Sequence, residues 1–451
     1  MKEYKAYNNR NYLKIPQLSN LDSVQKSAIK TVAQVLPFKT NNYVVNELID
    51  WDNFENDPMF ILNFPQRDML SRYDFNELSR MPDRNTPKKE MLTYVNSIRE
   101  KMNPHPAGQL EHNVPTLNGE RIRGIQHKYR ETLLFFPSQG QTCHAYCTFC
   151  FRWPQFTGMS EIKFAMKQTG LMIEYLRQNP EITDVLFTGG DPMVMKASIL
   201  KDYINAILDA DLPHIKVIRI GTKSLSFWPY RYLTDPDAQE ILDLFKKVAD
   251  RGIHLALMAH FNHHRELETE AVAAAVRKIR ETGAQIRTQS PILNHINADA
   301  DVWATMWRKQ VDMGMIPYYM FMARDTGAQN YFGVNMERSL NIFRDAYQQV
   351  SGICRTVRGP SMSAGPGKVC ISGISEIRGE KVYVLNFIQG RVPEWVGKPF
   401  FAKYDPKALW LNELEPAFGE KEFFYQKEYH KLLKVSKLPG RSLASEDLQS
   451  A

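Results

Sequence analysis

From about residue 130 to residue 350, short apolar runs alternate six times with longer amphipathic stretches. The strand-like runs fall at 133–137, 185–188, 217–221, 254–259, 285–291 and 316–321. The helix-like stretches between and after them fall at 160–178, 196–210, 236–251, 264–282, 299–313 and 335–350. A short continuous apolar run suits a strand buried on both faces, and a 3.6-residue period suits the helix that crosses back over the sheet. Six such units in series predict an α/β fold built as a parallel barrel, in its partial (β/α)6 form. Chemistry in such folds collects where the strands end, so the residues just after each run matter most.

The flanks have a different texture. Residues 1–118 read as an N-terminal helical region and linker, with helical patterns at 23–35 and 88–102 and Pro104, Pro106 and Pro115 marking the linker over 103–118. The barrel core is expected over 119–370. A C-terminal extension over 371–451 follows: a hairpin within 369–390, then an aromatic and charged tail whose last ten or so residues are expected to be disordered. No stretch of 18 apolar residues is present, and the polar start Met1-Lys2-Glu3 has no apolar run after it. Both predict a cytoplasmic protein without a membrane segment. The net charge of +7 is spread along the chain and does not argue for nucleic acid. Five cysteines, an odd number, argue against a disulfide framework.

Three of those cysteines lie within eight residues, as Cys143, Cys147 and Cys150 in a Cx3Cx2C spacing. Three thiolates on a loop after the first strand can hold three irons of a 4Fe-4S cube and leave the fourth iron open to a ligand. Zinc is the alternative, but a closed zinc site wants four ligands, and His144 adjoins Cys143 too closely to serve. Cx3Cx2C followed by an aromatic residue resembles the signature of the radical SAM superfamily, whose open iron binds S-adenosyl-L-methionine. That resemblance gives Phe149 and Phe151 the task of shielding the cluster. After the next strand comes Thr188-Gly189-Gly190-Asp191-Pro192. By itself it reads as a turn. At a strand end, its glycines and the polar Thr188 and Asp191 make it the expected binding segment for the amino group of S-adenosyl-L-methionine.

A narrower likeness covers about residues 105–370. The segments Cys150-Phe151-Arg152, Thr188-Gly189-Gly190-Asp191, Ile218-Arg219-Ile220-Gly221-Thr222-Lys223, His260-Phe261-Asn262-His263, Gln289-Ser290, Pro317-Tyr318-Tyr319 and Gly365-Pro366-Gly367-Lys368 occur in this order. Together they resemble the lysine 2,3-aminomutase family of radical SAM enzymes, which also use pyridoxal 5'-phosphate (PLP). The resemblance implies that Lys368 forms the PLP Schiff base, and that Tyr129, Gln289 and Ser290 lie near PLP. It gives Arg152 the substrate α-carboxylate. A lysine that exchanges a Schiff base is expected on a mobile loop, which Gly365 and Gly367 would permit. The family arginine that follows its tyrosine has no match, since Thr132 stands at that place. His260, Asn262, His263 and His264 also suggest a metal site, but a strand-end segment lining the barrel mouth is the favoured reading.

The family's lysine enzymes hold the substrate ammonium with two aspartates, one seven residues after the proline of Pro-Tyr-Tyr and one seven before the PLP lysine. Counting from Pro317 and Lys368 gives Arg324 and Ser361. An arginine repels an ammonium in a low-dielectric site. The expected substrate is therefore a glutamate-like or neutral amino acid, whose amino group moves from C2 to C3. The resemblance further implies an isomerase, an electron donor such as flavodoxin or ferredoxin, and a homo-oligomer. Three other readings stay open: modification of a protein-bound lysine, a degenerate PLP site, and an iron–sulfur sensor using the basic stretch Lys427, His430, Lys431, Lys434, Lys437 and Arg441 on nucleic acid.

Overall fold

The computed structural model describes residues 2–104, 112–158 and 164–436. The expected disorder of the last ten residues, the central part of the linker and the start of the helix predicted from residue 160 lie outside the described residues.

The N-terminal region is helical, as its pattern predicts, and adds a small sheet. Helix α1 (Ser23–Val32) starts at Asp22, whose carboxylate accepts from the Gln25 N–H while the Gln25 side chain accepts from the Asp22 N–H. This reciprocal cap satisfies two amides that a helix start otherwise leaves open. Helix α2 (Lys88–Lys101) follows later. Strand β1 (Ala6–Asn8) pairs antiparallel with β2 (Lys39–Asn41). Three-residue strands with alternating polar residues leave no periodic signal, so the sequence hides them. A second short hairpin joins β3 (Thr116–Leu117) and β4 (Glu120–Arg121).

All six predicted strands form, within one eleven-stranded sheet that also takes in their neighbours. It comprises β5 (Ile125–Tyr129), β6 (Thr132–Phe135), β7 (Asp184–Phe187), β8 (Val217–Thr222), β9 (His254–His260), β10 (Gln285–Ile292), β11 (Ile316–Met322), β12 (Arg358–Ser363), β13 (Gly367–Ile377), β14 (Glu380–Gly390) and β15 (Pro399–Lys403). Neighbours in the sheet follow chain order, parallel from β6 to β12 and antiparallel outside that run. The sheet is open, with β5 and β15 as its edges. Strand β12 is a seventh parallel strand the sequence reading missed. Gly359 and Pro360 interrupt its apolar pattern, and both residues argue against a central strand. The predicted hairpin is β13–β14, so the domain boundary expected at residue 370 falls inside a strand of the main sheet.

Six helices alternate with the parallel strands: α3 (Thr169–Gln178), α4 (Ala197–Asp209), α5 (Ala238–Asp250), α6 (Glu270–Glu281), α7 (Ala300–Asp312) and α8 (Met336–Gln349). Ile218, Ile220, Leu257 and Ile286 pack with Ile204, Phe245 and Val276 of these helices in one buried core. Full burial of such a side chain contributes roughly 1.5–3 kcal/mol. The residues between them in sequence, among them Asp184, Arg219, His260 and Gln289, are only half-buried and lie on the other, polar face. That face carries the chemistry.

The N-terminal region shares a second core with the sheet domain, where Val32, Leu62 and Phe64 join Trp153, Trp228 and Leu293. The predicted basic stretch belongs to a docked helix, α9 (Gln426–Ser436), in which Lys427 pairs with Glu422 at 2.8 Å. Lys437 and Arg441 lie outside the described residues. Among the described residues no helix is long and apolar enough to cross a membrane.

Candidate active site

The loop after β6 begins with a tight turn over Ser138–Gly140 and carries the three cysteines. It then turns twice on itself, the Cys150 N–H donating to the Cys147 carbonyl and the Trp153 N–H to the Cys150 carbonyl, each at 3.1 Å. Part of its backbone is held by the N-terminal region. The Tyr146 N–H donates to the Lys39 carbonyl at 2.8 Å and the Thr148 N–H to the Leu62 carbonyl at 3.0 Å. The Tyr4 hydroxyl and the Asn41 amide both donate to the His144 carbonyl, at 2.6 and 3.2 Å. None of these bonds uses a thiol.

Burial pushes all three thiols upward, and Cys143 feels both of the others. Such thiols stay protonated until a metal displaces their protons. Among the described residues no three His, Cys, Asp or Glu side chains converge on a single ion. A cube needs no such convergence, because each of its cysteines ligates a different iron. The donor set therefore fits a 4Fe-4S cluster on Cys143, Cys147 and Cys150. Phe149 stacks on His260 at 5.7 Å between ring centroids, whereas Phe151 stays 37% exposed.

The Gly-Gly-Asp-Pro segment packs on this loop, for a reason the sequence reading did not anticipate. A Cβ at Gly190 would collide with the backbone of Thr142, so this glycine permits loop-on-loop contact. Asp191 is buried and accepts from the Thr222 hydroxyl (2.7 and 2.9 Å) and from the Met193 and Lys223 N–H groups (2.9 Å each). Its carboxylate thus ties the end of β7 to the end of β8. Burial still lifts its pKa to about 6. Thr188 is half-buried beside this segment. The four candidate metal ligands of the 260–264 segment each have a partner: His260 stacks on Phe149, Asn262 donates to Ser290 at 2.9 Å, His263 accepts from the Arg265 N–H at 3.3 Å, and His264 meets Glu268 at 2.9 Å, with the His263 and His264 ring centroids 4.3 Å apart.

Lys368 opens β13, directly across from Ser363 of β12 and Gln389 of β14. Its ammonium donates to Gln389 Oε1 at 2.6 Å and lies 4.6 Å from the Tyr319 ring centroid and 5.6 Å from that of Tyr129. Burial, then the nearby Arg219, Arg358 and Arg324, pull its pKa down to about 7. A neutral amine near pH 7 is what a Schiff-base nucleophile requires. The turn before Lys368 is held by side chains from outside it. The turn is pinned, with Lys128 donating to the Ala364 carbonyl, and Arg391 to the Gly365 carbonyl (2.9 Å) through its side chain and to the Pro366 carbonyl (3.0 Å) through its N–H. A Cβ at Gly365 would strike the Tyr429 hydroxyl of α9, so this glycine too serves close packing. The Tyr129 hydroxyl is buried and has no hydrogen-bond partner among the described residues. A nucleophilic lysine beside an unspent phenol fits PLP.

Arg152 is 9% exposed, and its Nε and Nη2 atoms have no hydrogen-bond partner among the described residues. Its guanidinium lies 4.3 Å from the Phe136 ring centroid and feels both Cys150 and Arg324. Burial draws its pKa down to about 10. Arg324 stacks on Phe151 at 4.4 Å and feels Asp325 and Tyr129. Its loop is fixed by Thr326, whose hydroxyl accepts from the Trp153 indole and donates to the Met102 carbonyl, each at 3.1 Å. The structure thus gathers the cysteine loop, Arg152, Arg324, Tyr129 and Lys368. Gln289 lies on the polar face, on the strand next to Tyr319. Ser290 and Ser361 do not open onto it. Both are buried, and their hydroxyls donate to the carbonyls of Pro291 (3.1 Å) and Met320 (3.3 Å). Sequence reasoning missed Lys128, Arg358 and Arg391, scattered cations that carry no motif.

No family model matches this sequence. A putative L-lysine 2,3-aminomutase of Aquifex aeolicus is 30% identical over 403 residues, which span 89% of this chain and 94% of that protein. The chain belongs to the lysine 2,3-aminomutase family. It is an isomerase of a family that uses a 4Fe-4S cluster, S-adenosyl-L-methionine and PLP. A glutamate 2,3-aminomutase of Clostridioides difficile is 29% identical over 231 residues, 51% of each chain. Among solved structures, a radical SAM methyltransferase from Sphaerobacter thermophilus covers 64% of this chain and 95% of its own, with 14% identity and a TM-score of 0.37.

Proposed function

We propose that this enzyme is a radical SAM, PLP-dependent 2,3-aminomutase that moves the amino group of a glutamate-like amino acid between C2 and C3. One observation carries the substrate class: Arg152 is buried with its Nε and Nη2 atoms unpartnered among the described residues, and a second guanidinium, Arg324, lies beside it. Two adjacent guanidiniums, with Asp325 near Arg324, favour a ligand that brings carboxylates of its own. The ε-ammonium of lysine would instead meet like charge there.

In this reading the open sheet is a partial (β/α)6 barrel. Cys143, Cys147 and Cys150 hold the cluster, and Thr188 with the backbone of Gly189 and Gly190 meets S-adenosyl-L-methionine. Lys368, Tyr129 and Gln289 hold PLP. When bound, these groups supply a carbon radical that takes a hydrogen atom, and a conjugated ring that lets nitrogen pass between adjacent carbons. The protein's own side chains bind and orient. Lys368 presents a neutral amine, aimed by Gln389. Arg152 grips the α-carboxylate and Arg324 the side-chain carboxylate, which fixes the carbon chain between them. Phe136, Phe149 and Tyr319 wall the site against water. A one-electron donor such as flavodoxin or ferredoxin supplies the electron, in a cytoplasmic homo-oligomer.

The test is PLP released by acid from the purified enzyme, with and without Lys368→Ala, followed by competition between glutamate and lysine for the substrate site. One PLP per chain, lost in the variant, and displacement by glutamate alone support the reading. A chain that binds no PLP, or prefers lysine, refutes it.

A further inference from the structure

The N-terminal region reaches the cysteine loop with one charged group. Lys39 of β2 accepts the Tyr146 N–H at its own carbonyl (2.8 Å) and donates from its ammonium to the Cys143 carbonyl (2.6 Å) and the Thr142 hydroxyl (3.4 Å). A single residue therefore grips both ends of the Cys143–Tyr146 turn. The ammonium lies 5.9 Å from the Tyr4 ring centroid and 5.8 Å from that of Tyr146. Among the described residues it has no carboxylate within ion-pair distance.

Each thiol feels a cation: Cys143 feels Lys39, Cys147 feels Lys223 and Cys150 feels Arg152. Lys223 is neutralised by the fully buried Glu266, at 2.6 Å. Arg152 faces the substrate side. Lys39 alone among them has neither an acidic partner nor another task. A half-buried cation with only carbonyl, hydroxyl and ring neighbours is poorly compensated, unless an anion comes to lie beside it.

We infer that Lys39 is a positioning residue for the cluster, one whose charge and hydrogen bond raise the cluster's reduction potential and make the N-terminal region part of the redox site. The inference rests on the reading that the three cysteines hold the cluster. A thiolate-ligated cluster grows more negative on reduction, so a fixed positive charge beside one ligand favours the reduced form. Removing that charge must move the midpoint to more negative potential.

The experiment is a spectroscopically monitored redox titration of the reconstituted full-length enzyme. It compares wild type with Lys39→Met, Lys39→Gln, which keeps a donor without the charge, and Lys39→Arg, which keeps both. The expected result is a more negative midpoint in the two neutral variants and a near wild-type value in Lys39→Arg. Loss of iron from both neutral variants, with retention in Lys39→Arg, supports the same conclusion. Wild-type midpoints in iron-loaded neutral variants would overturn it, as would equal loss of iron from all three variants. If wild type itself takes up no iron, the assignment of the cysteines has failed instead.

Discussion

The cysteine loop and the Lys368 turn stand at the two ends of one site, and they are secured in different ways. The loop leans on residues far earlier in the chain, with Lys39 bonding Cys143 across 104 positions. Its other anchors, Tyr4, Asn41 and Leu62, are uncharged. The turn is a tight link between adjacent strands, and cations pin its carbonyls, Lys128 at Ala364 and Arg391 at Gly365. In both cases the backbone is held while the reactive side chains remain available. The supports share no residue, so each end should fail without the other.

The largest effect should come from breaking one end at a time. Cys147→Ser should lose most of its iron and all turnover while still binding one PLP. Lys368→Ala should lose bound PLP and keep its iron. Iron and acid-released PLP, assayed on the same samples, check both outcomes. Loss of both groups in either variant would mean that the ends are structurally coupled.

Packing strain at the turn should rank next. Gly365→Ala drives a methyl group into the Tyr429 hydroxyl and should cost about 1–3 kcal/mol. Adding Tyr429→Phe should recover part of that loss. A double-mutant cycle on thermal unfolding, with PLP affinity measured alongside, reads the coupling. At the other end, Asn41→Ala leaves the carbonyls of His144 and Phe227 without its amide and should cost about 1–3 kcal/mol. Its signature is faster loss of iron at unchanged PLP content.

The smallest effect is a pH dependence confined to the lysine end. With its pKa pulled down to about 7, Lys368 is mostly uncharged above that pH and mostly protonated below it. Borohydride trapping of PLP by the apo-enzyme should therefore rise through about pH 7. A rise delayed to the range of an ordinary lysine would contradict the crowding of Lys368 by Arg219, Arg358 and Arg324. Iron content should not follow this profile.

The two ends also differ in how far the sequence reveals them. The Cx3Cx2C spacing marks the candidate cluster ligands, and the parallel strands show as short apolar-rich runs, some of them interrupted by polar-face residues such as Arg219 and Gln289. Lys368 is visible only through resemblance, because a lysine in a Gly-Pro-Gly turn carries no signal of its own. Two glycines serve contacts that the sequence does not reveal: Gly190 and Gly365 admit neighbouring groups that lie distant in sequence, Thr142 and Tyr429. The partners of the Asp191 carboxylate, Thr222, Met193 and Lys223, are likewise hidden in the sequence. Lys39 and Asn41 sit on a three-residue strand, and their importance depends on long-range pairing that no local pattern encodes.

The central claim concerns what Arg152 and Arg324 receive. The most direct measurement incubates the reduced, reconstituted enzyme with S-adenosyl-L-methionine, PLP and either L-glutamate or L-lysine, and follows the β-amino acid by nuclear magnetic resonance. The account predicts β-glutamate from glutamate and no turnover of lysine. Interconversion of lysine and β-lysine at a useful rate, with glutamate inert, would contradict it.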